Sequence, residues 1–249
     1  MRFLSIARVL VRQLRVLLGG KFALQYAIRS NDLHLLSKLT KRQVHKRRFF
    51  LSDDPLVLAS RLGRASVVRH LVDECGVDPA SNWGDALASA ADIGTMEIVS
   101  MLVRAIVENR AGHSTELLNV TLSRALLAAA RTGHRMICSV LLDAGAYVDF
   151  RDGGPSGYTS LMYAVMSGEH ETAQELLRRG ADSNANAVND DHPIQMAVMN
   201  CDLAMVRILA AAGAALEVRT QFGPLIDLAK KCGCREVADF LASHPTPGR

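Results

Sequence analysis

The chain has 249 residues, 49% hydrophobic but only 5% aromatic, with 22% charged residues and a formal net charge of +4 at pH 7. That composition suits a single elongated domain with an aliphatic, alanine-rich core in which helices stack closely. Five cysteines, Cys75, Cys138, Cys201, Cys232 and Cys234, are an odd number at scattered places, which argues against a disulfide framework and for a reducing compartment.

The charge is unevenly spread. Residues 1–50 carry twelve Lys and Arg against the single acid Asp32, a balance of +11, which leaves −7 for the remainder. The first source is residues 1–20, MRFLSIARVLVRQLRVLLGG. On a helix Arg8, Arg12 and Arg15 form one basic stripe opposite Phe3, Leu10, Leu14 and Leu17. The arginines interrupt the apolar run too often for a transmembrane span and leave no uninterrupted apolar centre for a secretory signal. An Arg-rich, acid-free, amphipathic segment predicts a mitochondrial presequence. Two other readings stay open: a helix that caps the end of a stack, and an anchor lying on a membrane surface.

The second source is the cluster Lys38, Lys41, Arg42, His45, Lys46, Arg47 and Arg48, followed by Phe49 and Phe50. Such a run is a solvated loop, a nuclear-localisation-like run, or a contact for phosphate backbone or an acidic protein surface. Adjacent aromatics suit RNA, whose bases stack on rings and guanidinium groups.

From residue 21 onward one unit recurs. Ala27, Ala59, Ala90, Ala129, Ala164, Ala197 and Ala229 are each followed four residues later by Asn31, Gly63, Gly94, Gly133, Gly168, Cys201 and Gly233. The alanine intervals are 32, 31, 39, 35, 33 and 32, a period that means stacked repeats. An apolar residue stands three places ahead of each alanine (Leu24, Leu56, Leu87, Leu126, Leu161, Ile194, Ile226) and completes a buried stripe. A first helix of roughly ten residues should end at the glycine, which permits the left-handed closing conformation. A second helix then presents aliphatics such as Val67, Val68, Leu71 and Val72; Ile98, Val99 and Leu102; Ile137, Val140, Leu141 and Leu142; and Val206, Ile208 and Leu209. The two long intervals place about six extra residues around 110–114 and two in Gly153-Gly154-Pro155-Ser156-Gly157, both expected in loops.

The unit resembles the ankyrin repeat. Thr159-Ser160-Leu161-Met162-Tyr163-Ala164 stands for the family's Thr-Pro-Leu-His-x-Ala opening, and Leu176-Leu177-Arg178-Arg179-Gly180-Ala181-Asp182-Ser183-Asn184-Ala185 for its Leu-Leu-x-x-Gly-Ala-Asp-x-Asn-Ala close. Residues 141–149 and 208–215 repeat that ending, and Val77-Asp78-Pro79 is a shorter echo. The resemblance implies an all-α solenoid of about seven stacked helix-turn-helix units with short projecting fingers over residues 21–243, followed by a short tail at 244–249. The histidine expected two places before each alanine is replaced by Gln25, Val57, Ala88, Leu127, Met162, Gln195 and Asp227, so irregular stacking is expected. In this register the basic cluster at 38–48 occupies the place of a finger.

The resemblance also implies where partners dock: the finger tips and the residues just past the first-helix alanine line the concave face. Two places after each alanine stand Arg29, Arg61, Asp92, Arg131, Met166, Met199 and Lys231. The expected partner-binding residues are therefore Arg29, Lys41, Arg42, Lys46, Arg47, Arg48, Arg61, Arg131, Met166 and Met199. Alternatively, several of these side chains merely cover the neighbouring helix with their stems.

No His-Glu-x-x-His, phosphate-loop or nucleophile-elbow pattern occurs, so no enzyme and no cofactor is expected. Cys232-Gly233-Cys234 with His244 falls short of a four-ligand metal site. The sequence thus predicts a non-catalytic interaction scaffold in a larger assembly, set in the mitochondrion, whose basic N-terminal half contacts RNA or an acidic protein. The alternative is a cytosolic or nuclear adaptor that presents substrates to a modification enzyme.

Overall fold

A computed structural model describes residues 19–43, 54–108, 112–220 and 223–244. It divides into two compact units, residues 1–110 and 111–249.

In the first unit helix pairs run α1 (Gly19–Arg29) with α2 (Leu33–Gln43), α3 (Pro55–Arg61) with α4 (Ala65–Arg69), and α5 (Asp85–Ile93) with α6 (Met96–Glu108). The leading members α1, α3 and α5 pack on one another in order. Gly19 and Gly20, the glycine pair that ends the basic N-terminal segment, are helical and belong to α1. Helix α3 starts on a strong local signal: Pro55 sits in its first turn, and the Asp54 carboxylate accepts from the Leu56 N–H at 2.8 Å. Such a cap is worth about 1 kcal/mol.

The second unit pairs α7 (Thr115–Arg131) with α8 (Arg135–Asp143), α9 (Ser160–Met166) with α10 (His170–Arg178), α11 (Pro193–Met199) with α12 (Leu203–Ala211), and α13 (Leu225–Cys232) with α14 (Arg235–Ser243). Successive leading helices pack side by side, as do successive trailing ones. The strand content among the described residues is a two-residue antiparallel pair, β1 (Arg219–Thr220) with β2 (Gly223–Pro224), in the finger before α13. This is an all-α fold.

All seven repeated alanines are fully buried. The reason is visible in the backbone. The carbonyl of each alanine accepts the N–H five residues on, from Asp32, Arg64, Thr95, His134, Glu169, Asp202 and Cys234, at 2.9 to 3.1 Å. This closure requires a left-handed residue just before the donor. Gly63, Gly94, Gly133, Gly168 and Gly233 supply it, and so do the stand-ins Asn31 (φ 56°) and Cys201 (φ 55°). The trailing helix closes in the same way where the Gly-Ala motif is present: Ala146, Ala181 and Ala214 donate to Leu141, Leu176 and Leu209.

Three departures from the sequence expectation have physical causes. Around the long interval, residues 112–114 lie between α6 and α7, but both flanking helices are longer than their counterparts: α6 has 13 residues where α8, α10, α12 and α14 have 9, and α7 has 17 where α9 and α11 have 7. The added turns bury Val103, Ile106, Leu118 and Leu122. The basic cluster is likewise not a finger throughout, because residues 38–43 belong to α2; Lys46, Arg47 and Arg48 lie outside the described residues. The cysteines, finally, are not all free: Cys201 and Cys234 form a disulfide. Their separation of 33 residues equals one repeat and brings them side by side in the stack, so scattered positions along the chain include one pair that meets in space. Cys75, Cys138 and Cys232 are free thiols.

Residues 70–74 form a π-helical turn that continues α4. Leu71 is five residues from Gly76, whereas Leu141, Leu176 and Leu209 are four from Gly145, Gly180 and Gly213. The one extra residue widens the helix instead of extruding a loop, and the closing bond shifts to Val77 N–H with Leu71 O.

Candidate functional site

The residues two places past the alanines all fall at the C-terminal ends of leading helices. In the first unit Arg29 and Arg61 end α1 and α3 and Asp92 is next to last in α5; in the second Arg131, Met166 and Met199 end α7, α9 and α11 and Lys231 is next to last in α13. Arg29, Arg61, Arg131 and Lys231 are exposed, and Met166 and Met199 leave 45% and 51% of their surface to solvent. Side chains so placed cannot be core. Position also gives the cations a structural role, since positive charge at a helix C-terminus interacts favourably with the helix dipole.

Within the second unit the row is held in register by polar contacts. The Asn200 side-chain amide donates to the carbonyls of Val165 (3.5 Å) and Met166 (3.2 Å), so the turn that carries Met199 is tied to the one that carries Met166. Beside Arg131 stands Tyr163, whose hydroxyl donates to the Asp152 carboxylate at 2.5 Å. Burial, followed by that hydrogen bond and the Asp152 charge, pushes the Tyr163 phenol up to about 12, against a smaller opposing effect of Arg131. Asp152 also accepts from the Tyr158 N–H at 3.0 Å, and the two tyrosine rings meet edge to face. The inserted Gly153–Gly157 segment is therefore anchored at its base. Its far side is fixed as well: Val188 N–H donates to Ser156 O at 3.0 Å, and Arg151 donates to Asn186 O.

Fingers in this unit are stitched to their neighbours by side chains that sequence reasoning did not single out. The Ser123 hydroxyl accepts from Tyr147 N–H (2.7 Å), the Asp149 carboxylate from Asp182 N–H (3.0 Å), and the Asn184 amide from Ala215 N–H (2.7 Å) while donating to Gly213 O (3.1 Å). Asn184 lies in the Asp-x-Asn of the finger motif, which was the available signal. On the trailing helices Arg179 bridges Glu175 (3.0 Å), the Asp143 carboxylate (2.7 Å) and the Ser139 hydroxyl (2.7 Å). Arg178, with Arg179 behind it, holds the Glu175 carboxyl down to about 2, well below the usual carboxylate range.

A Thr–His–Glu line in the first unit, also unforeseen, has the outline of a catalytic relay. Thr40 Oγ1 lies 3.3 Å from His70 Nε2, and His70 Nδ1 lies 3.7 Å from Glu74. Thr40, however, is 2% exposed, and its hydroxyl donates to the Leu36 carbonyl of its own helix at 3.1 Å. A nucleophile needs an open side for its substrate, so this line is a packing contact at the π-helical turn. Among the described residues no group of three or more His, Cys, Asp or Glu is arranged to hold a metal ion. Cys234 is committed to its disulfide, which removes one of the two thiolates of the Cys-Gly-Cys segment. No helix among the described residues is long and apolar enough to cross a membrane.

The family model described as ankyrin repeats in three copies matches residues 87–187 and 161–248. The chain belongs to the ankyrin-repeat family. An ankyrin repeat and KH domain-containing protein of Caenorhabditis elegans is 31% identical over 128 residues, 51% of this chain and 5% of that protein. One of the same description from Caenorhabditis briggsae is 28% identical over 195 residues, 78% of this chain and 7% of its own length. Cyclin-dependent kinase inhibitor 2A of Homo sapiens is 34% identical over 119 residues, 47% of this chain and 74% of that protein. The chain thus spans a small fraction of the two nematode proteins and most of the human one. A protein-interaction role goes with the family, whose members are generally non-catalytic modules.

Proposed function

We propose that this ankyrin-repeat protein is a scaffold subunit that grips one protein partner along the row Arg131, Met166, Met199 and Lys231. The observation that carries this reading is the exposure of two methionines at equivalent helix ends, 45% and 51% open, between two exposed cations. Methionine is adaptable and gains from burial against an apolar side chain. The flanking cations favour a segment with apolar residues at its middle and carboxylates at its ends. Arg29 and Arg61, with the basic stretch at Lys41, Arg42, Lys46, Arg47 and Arg48, add a second contact that takes RNA or an acidic protein. A mitochondrial setting rests on the arginine stripe of residues 1–20, and a fluorescent reporter carrying those residues should enter mitochondria; a diffuse signal removes that setting.

The test of the row is affinity recovery of the partner at two salt concentrations by wild type, by M166D/M199D and by the triple charge reversal K46E/R47E/R48E, with circular dichroism as folding control. Loss with the methionine pair alone places the partner on the row. Loss with the charge reversal that steepens with salt identifies RNA, since each neutralised phosphate releases counterion. Full recovery by folded M166D/M199D contradicts the reading. The kinase inhibitor among the relatives is named for acting on a protein, which supports a protein partner.

A further inference from the structure

The two joined cysteines occupy corresponding turns of adjacent repeats. Cys201 takes the left-handed place, at φ 55°, that Gly168 (73°) and Gly233 (77°) fill in the units on either side. Cys234 directly follows Gly233 and opens α14, so the bond ties the turn after α11 to the turn after α13. The two residues differ in exposure. Cys201 is exposed, whereas Cys234 is 5% exposed.

Residue exposure favours attack by an incoming thiolate at Cys201, with Cys234 as the group that leaves. The departing sulfur already has an acceptor for its proton, because the Val198 carbonyl oxygen lies 3.4 Å from Cys234 Sγ. Its backbone is fixed independently by the Cys234 N–H bond to Ala229 O at 2.9 Å. The Cys234 backbone bond and the Val198 carbonyl are available to the thiol as well, so reduction removes the cross-link and leaves the two sulfurs free to move apart.

We propose that Cys201 and Cys234 form a reversible thiol–disulfide switch that sets how tightly the last described helix pair, α13 and α14, is held to α11 and α12. The reductant is a small monothiol of the glutathione class. One molecule forms a mixed disulfide with Cys201 and releases Cys234 as a thiolate, which takes up a proton. A second attacks the mixed disulfide, frees the Cys201 thiol and leaves as the oxidised dimer. Two electrons pass to the protein and two protons accompany them; oxidised monothiol reverses the sequence. In a stacked array each unit depends on its neighbour's interface, and a cross-link closing a loop of one repeat restricts the open ensemble. The switch acts two residues from Met199, whatever partner that residue meets.

Equilibration of the whole chain across a series of reduced-to-oxidised glutathione ratios, with alkylation and peptide mapping, gives the state of each cysteine. Amide hydrogen exchange is followed in parallel. The expected result is that Cys201 and Cys234 open and close together within the series, and that exchange across residues 225–243 is at least about tenfold faster in the reduced form. The C201S/C234S variant should exchange like reduced wild type, and reduced wild type itself serves where the variant does not fold. A pair that resists every ratio, a pair that never forms, pairing of Cys232 in place of Cys234, or equal exchange rates in the two states overturns the proposal. Partner binding is not part of the readout, so failure here is distinct from failure of the binding row.

Discussion

The two units close their leading helices with the same alanine-carbonyl bond yet differ in how neighbouring repeats are tied together. In the second unit backbone N–H groups of three fingers are accepted by Ser123, Asp149 and Asn184. Among the described residues of the first unit the ties between repeats include exposed side-chain contacts, Arg64 to Arg29 O at 3.2 Å, Ser66 to Asn31 at 2.9 Å, Asn82 to Asp54 at 2.7 Å and Arg69 to Glu97 at 3.2 Å, and the part-buried Thr40–His70 contact at 3.3 Å. The π-helical turn at 70–74 belongs to the first unit too. Burial of the alanine stripe is enough to make stacked pairs. Regular fingers need a further layer of polar side chains, and where that layer is thin a one-residue insertion is tolerated inside a helix.

The largest effect should come from the shared feature. Ala164→Phe overpacks a position with no exposed surface and should cost about 1–3 kcal/mol or more in urea unfolding, because close-packed interiors resist added volume. Met166→Ala, two residues on, should stay within about 0.5 kcal/mol. Equal losses would break the register on which the comparison rests.

Next in size is the finger layer. Asn184→Ala removes an acceptor from Ala215 N–H and a donor from Gly213 O and should cost about 1 kcal/mol. Ser66→Ala, which removes the exposed contact to Asn31, should cost less than about 0.5 kcal/mol. The reverse order, measured by chemical denaturation, would deny the finger bonds their role.

A smaller, pH-dependent difference follows from Glu175. Its folded carboxyl is held down to about 2 by Arg178 and Arg179, so the stability it contributes is complete above the ordinary carboxylate range and is lost as pH falls toward that value. Wild type should lose stability between about pH 4.5 and 2 more steeply than Glu175→Gln. Parallel pH profiles would contradict the pairing. The smallest effect is expected at the insertion: deleting Asp73 restores the four-residue spacing from Leu71 to the glycine and should change stability by no more than about 0.5 kcal/mol, with thermal melting as the check.

Much of this was legible in the sequence. The alanine and glycine positions, including the stand-ins Asn31 and Cys201, follow from period and residue type because only a left-handed residue closes each helix there. Exposure of Arg29, Arg61, Arg131, Met166 and Met199 follows from the same register. The lengthened α6 and α7 were not anticipated, since Arg110-Ala111-Gly112-His113-Ser114 reads as a loop while the apolar spacing of Met101, Leu102 and Ile106, then Leu118 and Leu122, continues helical periodicity on both sides. The disulfide was missed because the relation between Cys201 and Cys234 exists between repeats and vanishes when cysteines are merely counted along the chain. The proline starts at Pro55 and Pro193 were there to be read as first-turn residues.

Native-state amide hydrogen exchange, read helix by helix under conditions that keep the Cys201–Cys234 bond intact, tests the contrast between the units most directly. The finger layer predicts that the buried amides of α9 and α11 are the slowest in the chain and that those of α3 and α4 exchange sooner, through sub-global opening around the π-helical turn. Slower exchange in α3 and α4 than in α9 and α11 would show that the alanine stripe alone sets stability and that the finger bonds add nothing to it.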